Sequence, residues 1–332
     1  MAIGRGNGSN GKKKFSQSLV NFFITFLKEQ TILIVFIFII IGMGISSPVF
    51  LTRRNLLNIF LQSSMIGITA CGMTFVILMA EIDLSVGSMS AFAGVVAAHF
   101  QVLNGWSTFP AIALTIVFCF AMGIVMGIIV AKLGVHSFVV TLGMLTIARG
   151  FALIISEGHP ISGLTDSFKF IGQGRIGIIP FPAILFLTLA VICWFFLSQT
   201  KFGRGIYAIG GNKEASRLSG IPVDMYKIVI FGVCSAMSGI SGVILAGRVN
   251  SGQPIAAESH NLDAIASVII GGTSLFGGRG GIWKTIVGTL ILGILRNGLN
   301  LIGVTPYWQR VFIGALIIVT VVIDRVQHRK EM

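Results

Sequence analysis

Few side chains here are of the kinds that hold metals, attack carbonyls or relay protons, and those few stand apart. Cys71, Cys119, Cys193 and Cys234 each sit alone in an apolar stretch with no Cys-x-x-Cys. They read as small buried hydrophobes, not as zinc or redox ligands. The histidines at 99, 136, 159, 260 and 328 form no His-x-x-x-His pair, so neither a metal site nor a cofactor is expected. His-Glu-x-x-His is absent, no local set of acid, base and nucleophile stands out, and the chain is not expected to be an enzyme. A phosphate-binding loop needs Gly-x-x-x-x-Gly-Lys followed by a hydroxyl residue. Here Gly11-Lys12 is followed by Lys13, and Gly277-Gly278-Arg279-Gly280-Gly281 has neither lysine nor hydroxyl. Energy for any work must come from a partner or an ion gradient. The remaining chemistry is charge in apolar surroundings, at Asp83, Arg149, Arg248, Asp263 and Arg296. Such charges are costly in hydrocarbon. Arg149, mid-run in TIARGFALII, needs an acidic or carbonyl partner. The other four lie near the ends of their runs, where snorkelling or interhelical pairing suffices.

The elements that position these residues are long and apolar. Hydrophobic residues make up 54% of the 332 and charged residues 11%, against about 25% charged in an ordinary soluble domain. The apolar runs approach the ~20 residues that an α-helix needs to cross hydrocarbon. The chain is therefore read as an all-α, polytopic transmembrane bundle of about ten spans: 31–50, 56–80, 85–103, 110–132, 137–156, 180–198, 227–249, 262–275, 285–303 and 307–324. The eighth is too short to cross alone and must be re-entrant or broken, so eight crossings remain an alternative. Residues 1–30 form a basic segment with Lys12, Lys13 and Lys14, 31–324 the membrane domain, and 325–332 a tail. The net charge of +13 comes from short loops and tails, a pattern of topology determinants that excludes a nucleic-acid partner. Lys132, Lys201, Arg204, Lys213, Arg217, Lys227, Arg279, Lys284 and Arg325 fall on the side of the N-terminus, whereas Arg53, Arg54 and Arg175 do not. This bias places both termini in the cytoplasm.

Two junctions resemble one another. Glu81-Ile82-Asp83-Leu84 and Asn261-Leu262-Asp263-Ala264 each open an apolar run, and in the ten-span reading they lie on opposite sides, as inverted repeats require. Gly123 and Gly127 form a Gly-x-x-x-Gly pair for close helix packing.

The loop 199–227 contains KFGRGIYAIGGNKEASRLSGIPVDMYK. Gly210 and Gly211 are expected to break the chain, Asn212 to cap a helix over Lys213–Ser219, and Gly220 and Pro222 to end it. Two turns are not stable alone in water. Ala215 and Leu218 share one face, with Glu214 and Arg217 beside it. Spacing alone allows either a solvated connector or a docking helix.

GRGIYAIGGNKEASRLSGI, together with GMTFVILMAEIDLSVGS at 72–88, LDAIASVIIGGTSLFGGRGGI at 262–282 and GTLILGILRNGLNLIGVTPYWQ at 288–309, resembles the permease subunits of ribose- and other monosaccharide-type ABC importers, with a type II importer-like fold. Met79-Ala80-Glu81 departs from it, because that family more often has Thr-Gly-Gly there. The resemblance implies a bacterial inner-membrane permease that pairs with a second permease chain as a homodimer, with lipid around it. It also implies an extracytoplasmic sugar-binding protein and cytoplasmic ATP-binding subunits gripping Gly211, Asn212, Glu214, Ala215, Arg217 and Leu218. The cargo it implies is a monosaccharide, ribose first, with xylose, galactose, allose and furanones behind. A neutral sugar asks for amide and hydroxyl contacts, so Gln62, Ser63, Ser64, Asn297 and Asn300 are candidates for the path. Helix–helix hydrogen bonds would use the same groups. The alternative is an ion-coupled secondary transporter, which should carry carboxylates deep in its spans; the sequence places Glu81, Asp83, Glu157 and Asp263 near span boundaries.

Overall fold

The computed structural model describes residues 31–329; the basic segment 1–30 and the end of the tail, 330–332, lie outside the described residues. Each expected span is helical over most of its length. The helices are α1 (Thr31–Ser46), α2 (Arg53–Leu78), α3 (Val86–Ala98, extended by a π-helical turn His99–Leu103), α4 (Thr108–Lys132), α5 (Ser137–Ser156), α6 (Asp166–Gln173), α7 (Phe181–Gln199), α8 (Lys201–Gly211), α9 (Lys213–Leu218), α10 (Val223–Val249), α11 (His260–Ile270), α12 (Ile282–Leu301) and α13 (Pro306–Arg329). Among the described residues seven helices are long and apolar enough to cross a membrane, and Leu33–Ser46, His260–Ile270 and Pro306–Val322 are shorter apolar helices. The last helix runs through 325–329, so no break separates the tail from the membrane domain there.

The centre is built from α2, α3, α10 and α12, joined by small residues. A Cβ at Gly127 would lie 2.6 Å from the Ile228 Cα, and one at Gly123 would overlap the Phe231 carbonyl. The Gly-x-x-x-Gly pair therefore seats α4 directly on the backbone of α10, as close packing without a hydrophobic driving force in lipid requires. Gly72 of α2 meets the Cys234 Cα of α10, which its absent Cβ would approach to 2.9 Å. Outward faces of α4, α5 and α7 carry exposed Phe, Val, Leu and Ile, among them Phe109, Phe138, Val139, Ile154 and Phe195.

Contacts along the helices set their levels. Ser90 Oγ donates to the Ser238 carbonyl at 2.8 Å, and Gly94 faces Gly242. So α3 runs parallel to α10, and its first turn sits near the middle of that ~40 Å helix. Thr74 and Thr285 hydroxyls meet at 2.7 Å and Asn55 and Asn297 at 2.8 Å, which makes α2 and α12 antiparallel. Gly288 packs on the Ser267 carbonyl and Gly271 on Lys284. By this register α11 is antiparallel to α12 and begins near the middle of it. The starts of α3 and α11 meet: a Cβ at Gly87 would contact the Ala257 carbonyl oxygen and, at 3.5 Å, the Asn261 nitrogen.

Two half-helices, so called because each begins about halfway along its neighbour, thus run to opposite ends; α3 with its π-helical turn is 18 residues long and α11 is 11. Each follows a non-helical stretch, 79–85 and 253–259, with a left-handed residue in it, Ala80 (φ 57°) and Ala257 (φ 57°). Both stretches are held by α5. Ser137 Oγ accepts from the Ile82 nitrogen at 3.4 Å, Thr141 Oγ1 donates to the Ile82 carbonyl at 3.4 Å, and Arg149 reaches the second stretch. At the end away from α9, Ile161–Ser162 pairs antiparallel with Ser251–Gly252, and a hairpin joins Arg175–Ile176 to Ile179–Pro180. Beside it Lys169 lies 2.6 Å from Asp166 and holds that carboxyl below its ordinary range.

Candidate functional site

At one end of the bundle α8 and α9 form a shelf. Thr200 Oγ1 caps α8 by accepting from the Gly203 nitrogen at 3.2 Å. Gly210 and Gly211 continue this helix and do not break it; the break falls at Asn212 (φ −157°, ψ 104°). The physical reason is contact: a Cβ at Gly210 would overlap the Leu78 carbonyl at the end of α2, and the same carbonyl accepts from the Gly278 nitrogen at 2.9 Å. Glycine here fastens α8 to the end of α2 and to the 271–281 loop. Tyr207 adds a bond to the Gly280 carbonyl at 3.0 Å, and burial pushes its phenol above the ordinary range.

Asn212 caps α9 as its type predicts, Oδ1 accepting from the Ala215 nitrogen at 2.9 Å, and Gly220 (φ 81°) follows the helix. Only Ser216 of α9 is buried. Gly211, Asn212, Glu214, Ala215, Arg217 and Leu218 all face outward, with Leu218 90% exposed. Arg217 lies 3.9 Å from Glu214 and 3.3 Å from Asp224, which also approaches Lys132 at 3.8 Å. This chain of charges orients α9 against the first turn of α10. Beneath it opens a cleft of about 530 Å³ lined by Glu81, His136, Ser137, Asn212, Lys213 and Lys227 among others.

The charges inside the bundle have partners that the sequence does not name. Arg149 Nη1 donates to the carbonyls of Pro254 and, at 2.9 Å, of Ala256, so its partners are carbonyls. Asp263 and Arg296 pair with each other. Asp83 is fully buried, and its Oδ1 accepts from the Ser85 nitrogen at 2.8 Å and hydroxyl at 2.6 Å. Asp83 lies between α2 and α3 and Asp263 in the first turn of α11, at helix boundaries as the sequence placed them, yet both sit inside the bundle. The Asp83 carboxyl is beside Cys234, which is level with Gly72 and not with the end of α2, and Asp263 is level with the middle of α12. Both lie inside the bundle because Asp83 is in the non-helical lead-in to α3 and Asp263 in the first turn of α11. Glu81 is paired with Lys227 of α10, their side chains 12% and 7% exposed.

The neutral candidates divide. Asn297 exchanges amide bonds with Asn55, Ser63 packs on Gly293, and Ser64 Oγ donates to the Leu61 carbonyl at 2.7 Å. These three serve α2 and its seam with α12. Gln62, half-buried, donates to Asn58 at 3.2 Å, and Asn58 lines a cleft of about 470 Å³ with Arg54 and Arg175. Asn300 is exposed and accepts from Gln309 at 2.7 Å.

A family described as "Branched-chain amino acid transport system / permease component" matches residues 55–321. The chain belongs to this permease family. It is 42% identical over 302 residues to the ribose import permease protein RbsC of Escherichia coli (strain K12), covering 90% of this chain and 94% of that protein. Identity to RbsC of Bacillus subtilis (strain 168) is 42%, over 87% and 90%, and to the L-arabinose transport system permease protein AraH of Escherichia coli (strain K12) 37%, over 91% and 92%. No solved structure gives a significant match to the chain.

In the permease, the family match covers both half-helices and the α8–α9 shelf but stops short of α1. Sequence reasoning missed α8, the Glu81–Lys227 pair and the Asp263–Arg296 pair. Lys227 did carry a signal. It is the one lysine of a largely apolar 27-residue helix whose other charges, Asp224 and Arg248, lie in its first and last turns, and a lysine so placed asks for a carboxylate.

Proposed function

We propose that this permease is the membrane subunit of an ATP-driven importer of a monosaccharide, ribose foremost, working with ATP-binding subunits at the α8–α9 end. An extracytoplasmic sugar-binding protein and a second permease chain complete the assembly. The observation that carries the proposal is near-full-length identity to ribose import permeases in a chain that has no phosphate-binding loop yet presents a capped helix with a bare leucine. A short helix whose leucine is 90% exposed is stabilised by docking, since two turns do not persist alone. We assign Gly211, Asn212, Glu214, Ala215, Arg217 and Leu218 to that contact. Leu218→Asp should cut ATP-driven ribose uptake in cells or in liposomes loaded with ATP about tenfold or more, a loss of about 1.4 kcal/mol or more, with normal membrane insertion. Arg217→Glu disturbs the bonds to Glu214 and Asp224 as well, so Leu218→Asp is the cleaner probe. Uptake at the parental rate by an inserted Leu218→Asp permease would remove the assignment.

The same reading gives ten crossings in the bacterial inner membrane, with both termini, the α8–α9 shelf and the basic loops in the cytoplasm. Each half-helix together with its non-helical lead-in spans the distance between the two ends, which supports ten over eight. The opposed directions of α3 and α11, both starting at mid-depth, support inverted repeats. For the path, Gln62 and Asn300 retain access, whereas Ser63, Ser64 and Asn297 are engaged in packing.

A further inference from the structure

Between the start of α11, the outer half of α12 and the first turns of α13 lies a cavity of about 270 Å³, lined by Glu258, Asp263, Arg296, Arg310, Gly314 and Ile317 among others. Its polar wall holds two acids and two bases, and the Asp263–Arg296 pair forms its floor with side chains 3% and 28% exposed. Glu258 and Arg310 at the rim are exposed. Charges of either sign are not left facing lipid tails; they face protein or a water-filled cavity. The other wall, Leu262, Ile313 and Ile317, is aliphatic. The volume corresponds to about nine waters at ~30 Å³ each, room for one five- or six-carbon sugar.

We propose that this cavity is the transient sugar-binding site of the permease, taking a neutral monosaccharide by its vicinal hydroxyls. A carboxylate accepts from two hydroxyls, and a guanidinium donates to the oxygens of the same pair. A sugar ring offers both in adjacent positions and an apolar face of C–H groups for the aliphatic wall. The mutual pairing of Asp263 and Arg296 keeps both groups satisfied when no sugar is bound, which keeps the resting cost of burial low. Because the four charges cancel, the site has no preference for an anion or a cation. This inference rests on the monosaccharide reading above and deepens it.

Gly314 supplies the test. It lines the cavity, and a Cβ there would meet nothing within 4 Å, so Gly314→Cys fits the fold. The four native cysteines are buried, and the new thiol reports alone. The permease complex, with its ATP-binding subunits and binding protein in liposomes, is treated with a small charged methanethiosulfonate while D-ribose uptake is followed. The expected result is rapid modification, loss of about nine-tenths of uptake on modification, and several-fold slower modification in saturating D-ribose. A thiol that does not react would show a dry, lipid- or protein-covered surface and overturn the site. So would a modified complex that still imports ribose at the parental rate. A parental complex without ATP-driven ribose uptake would instead overturn the functional reading, whatever the labelling shows.

Discussion

Glu81 shows how a residue that departs from its family's pattern can be read only with its neighbour in view. Where the resembling permeases more often have Thr-Gly-Gly, this chain has Met79-Ala80-Glu81, and the third of these neutralises Lys227 at the root of α10. Removing one partner of a buried pair leaves an uncompensated charge, at a cost of about 3–5 kcal/mol. Replacing both by apolar groups of similar shape is close to neutral, because their desolvation is relieved together. Glu81→Ala should therefore lower the thermal midpoint of the detergent-purified permease sharply, while Glu81→Ala combined with Lys227→Met should restore most of it. An additive double variant, as unstable as the two single changes summed, would mean that the pair contributes no coupling. Arg149 teaches a related lesson. Its mid-span position made a partner obligatory, but the carbonyls of Pro254 and Ala256 are over a hundred residues away and free only because the chain there is not helical.

At the scale of elements, hydropathy located all ten apolar segments within a few residues, because a spanning helix must satisfy its backbone internally and so writes its length into composition. What composition does not write is where a helix starts within a run. The acids and the proline of residues 79–85 and 253–259 mark a break, but they do not show that each non-helical stretch lies inside the bundle, bonded in part to α5. The same limitation hid α8: Gly210 and Gly211 look like breakers in a string, and the close approach of Leu78 that requires glycine is a tertiary fact. Small residues therefore need sorting by what faces them. A Cβ at Gly242 would overlap the Ser90 carbonyl, whereas one at Gly143 meets nothing within 4 Å. Gly242→Ala should force α3 off α10 and destabilise the fold by about 1–3 kcal/mol. Gly143→Ala, on an open face, should be neutral or slightly stabilising through helix propensity. Thermal unfolding followed by size-exclusion fluorescence separates the two; equal midpoints would refute the α3–α10 contact.

At the scale of the whole molecule the decisive question is which end faces which compartment, and the half-helices make it answerable. If the unwound lead-in and α3 together cross the membrane, the tip at Asn104 emerges opposite the α8–α9 shelf. If 79–103 instead turned back, Asn104 would share a side with Glu214. Both residues are exposed, and the native cysteines are buried, so single cysteines report cleanly. In intact cells, an impermeant maleimide should label Asn104→Cys and Arg175→Cys and spare Glu214→Cys; in inside-out vesicles the pattern should invert. Labelling of Asn104→Cys and Glu214→Cys from the same side would remove the crossing at 79–103 and dissolve the inverted-repeat reading. Labelling of Glu214→Cys from outside would turn the molecule over and remove the shelf from the reach of any cytoplasmic ATP-binding subunit. The expected pattern places the shelf on the side where ATP is and the Arg54–Arg175 cleft on the opposite side, which a sugar-binding protein can reach.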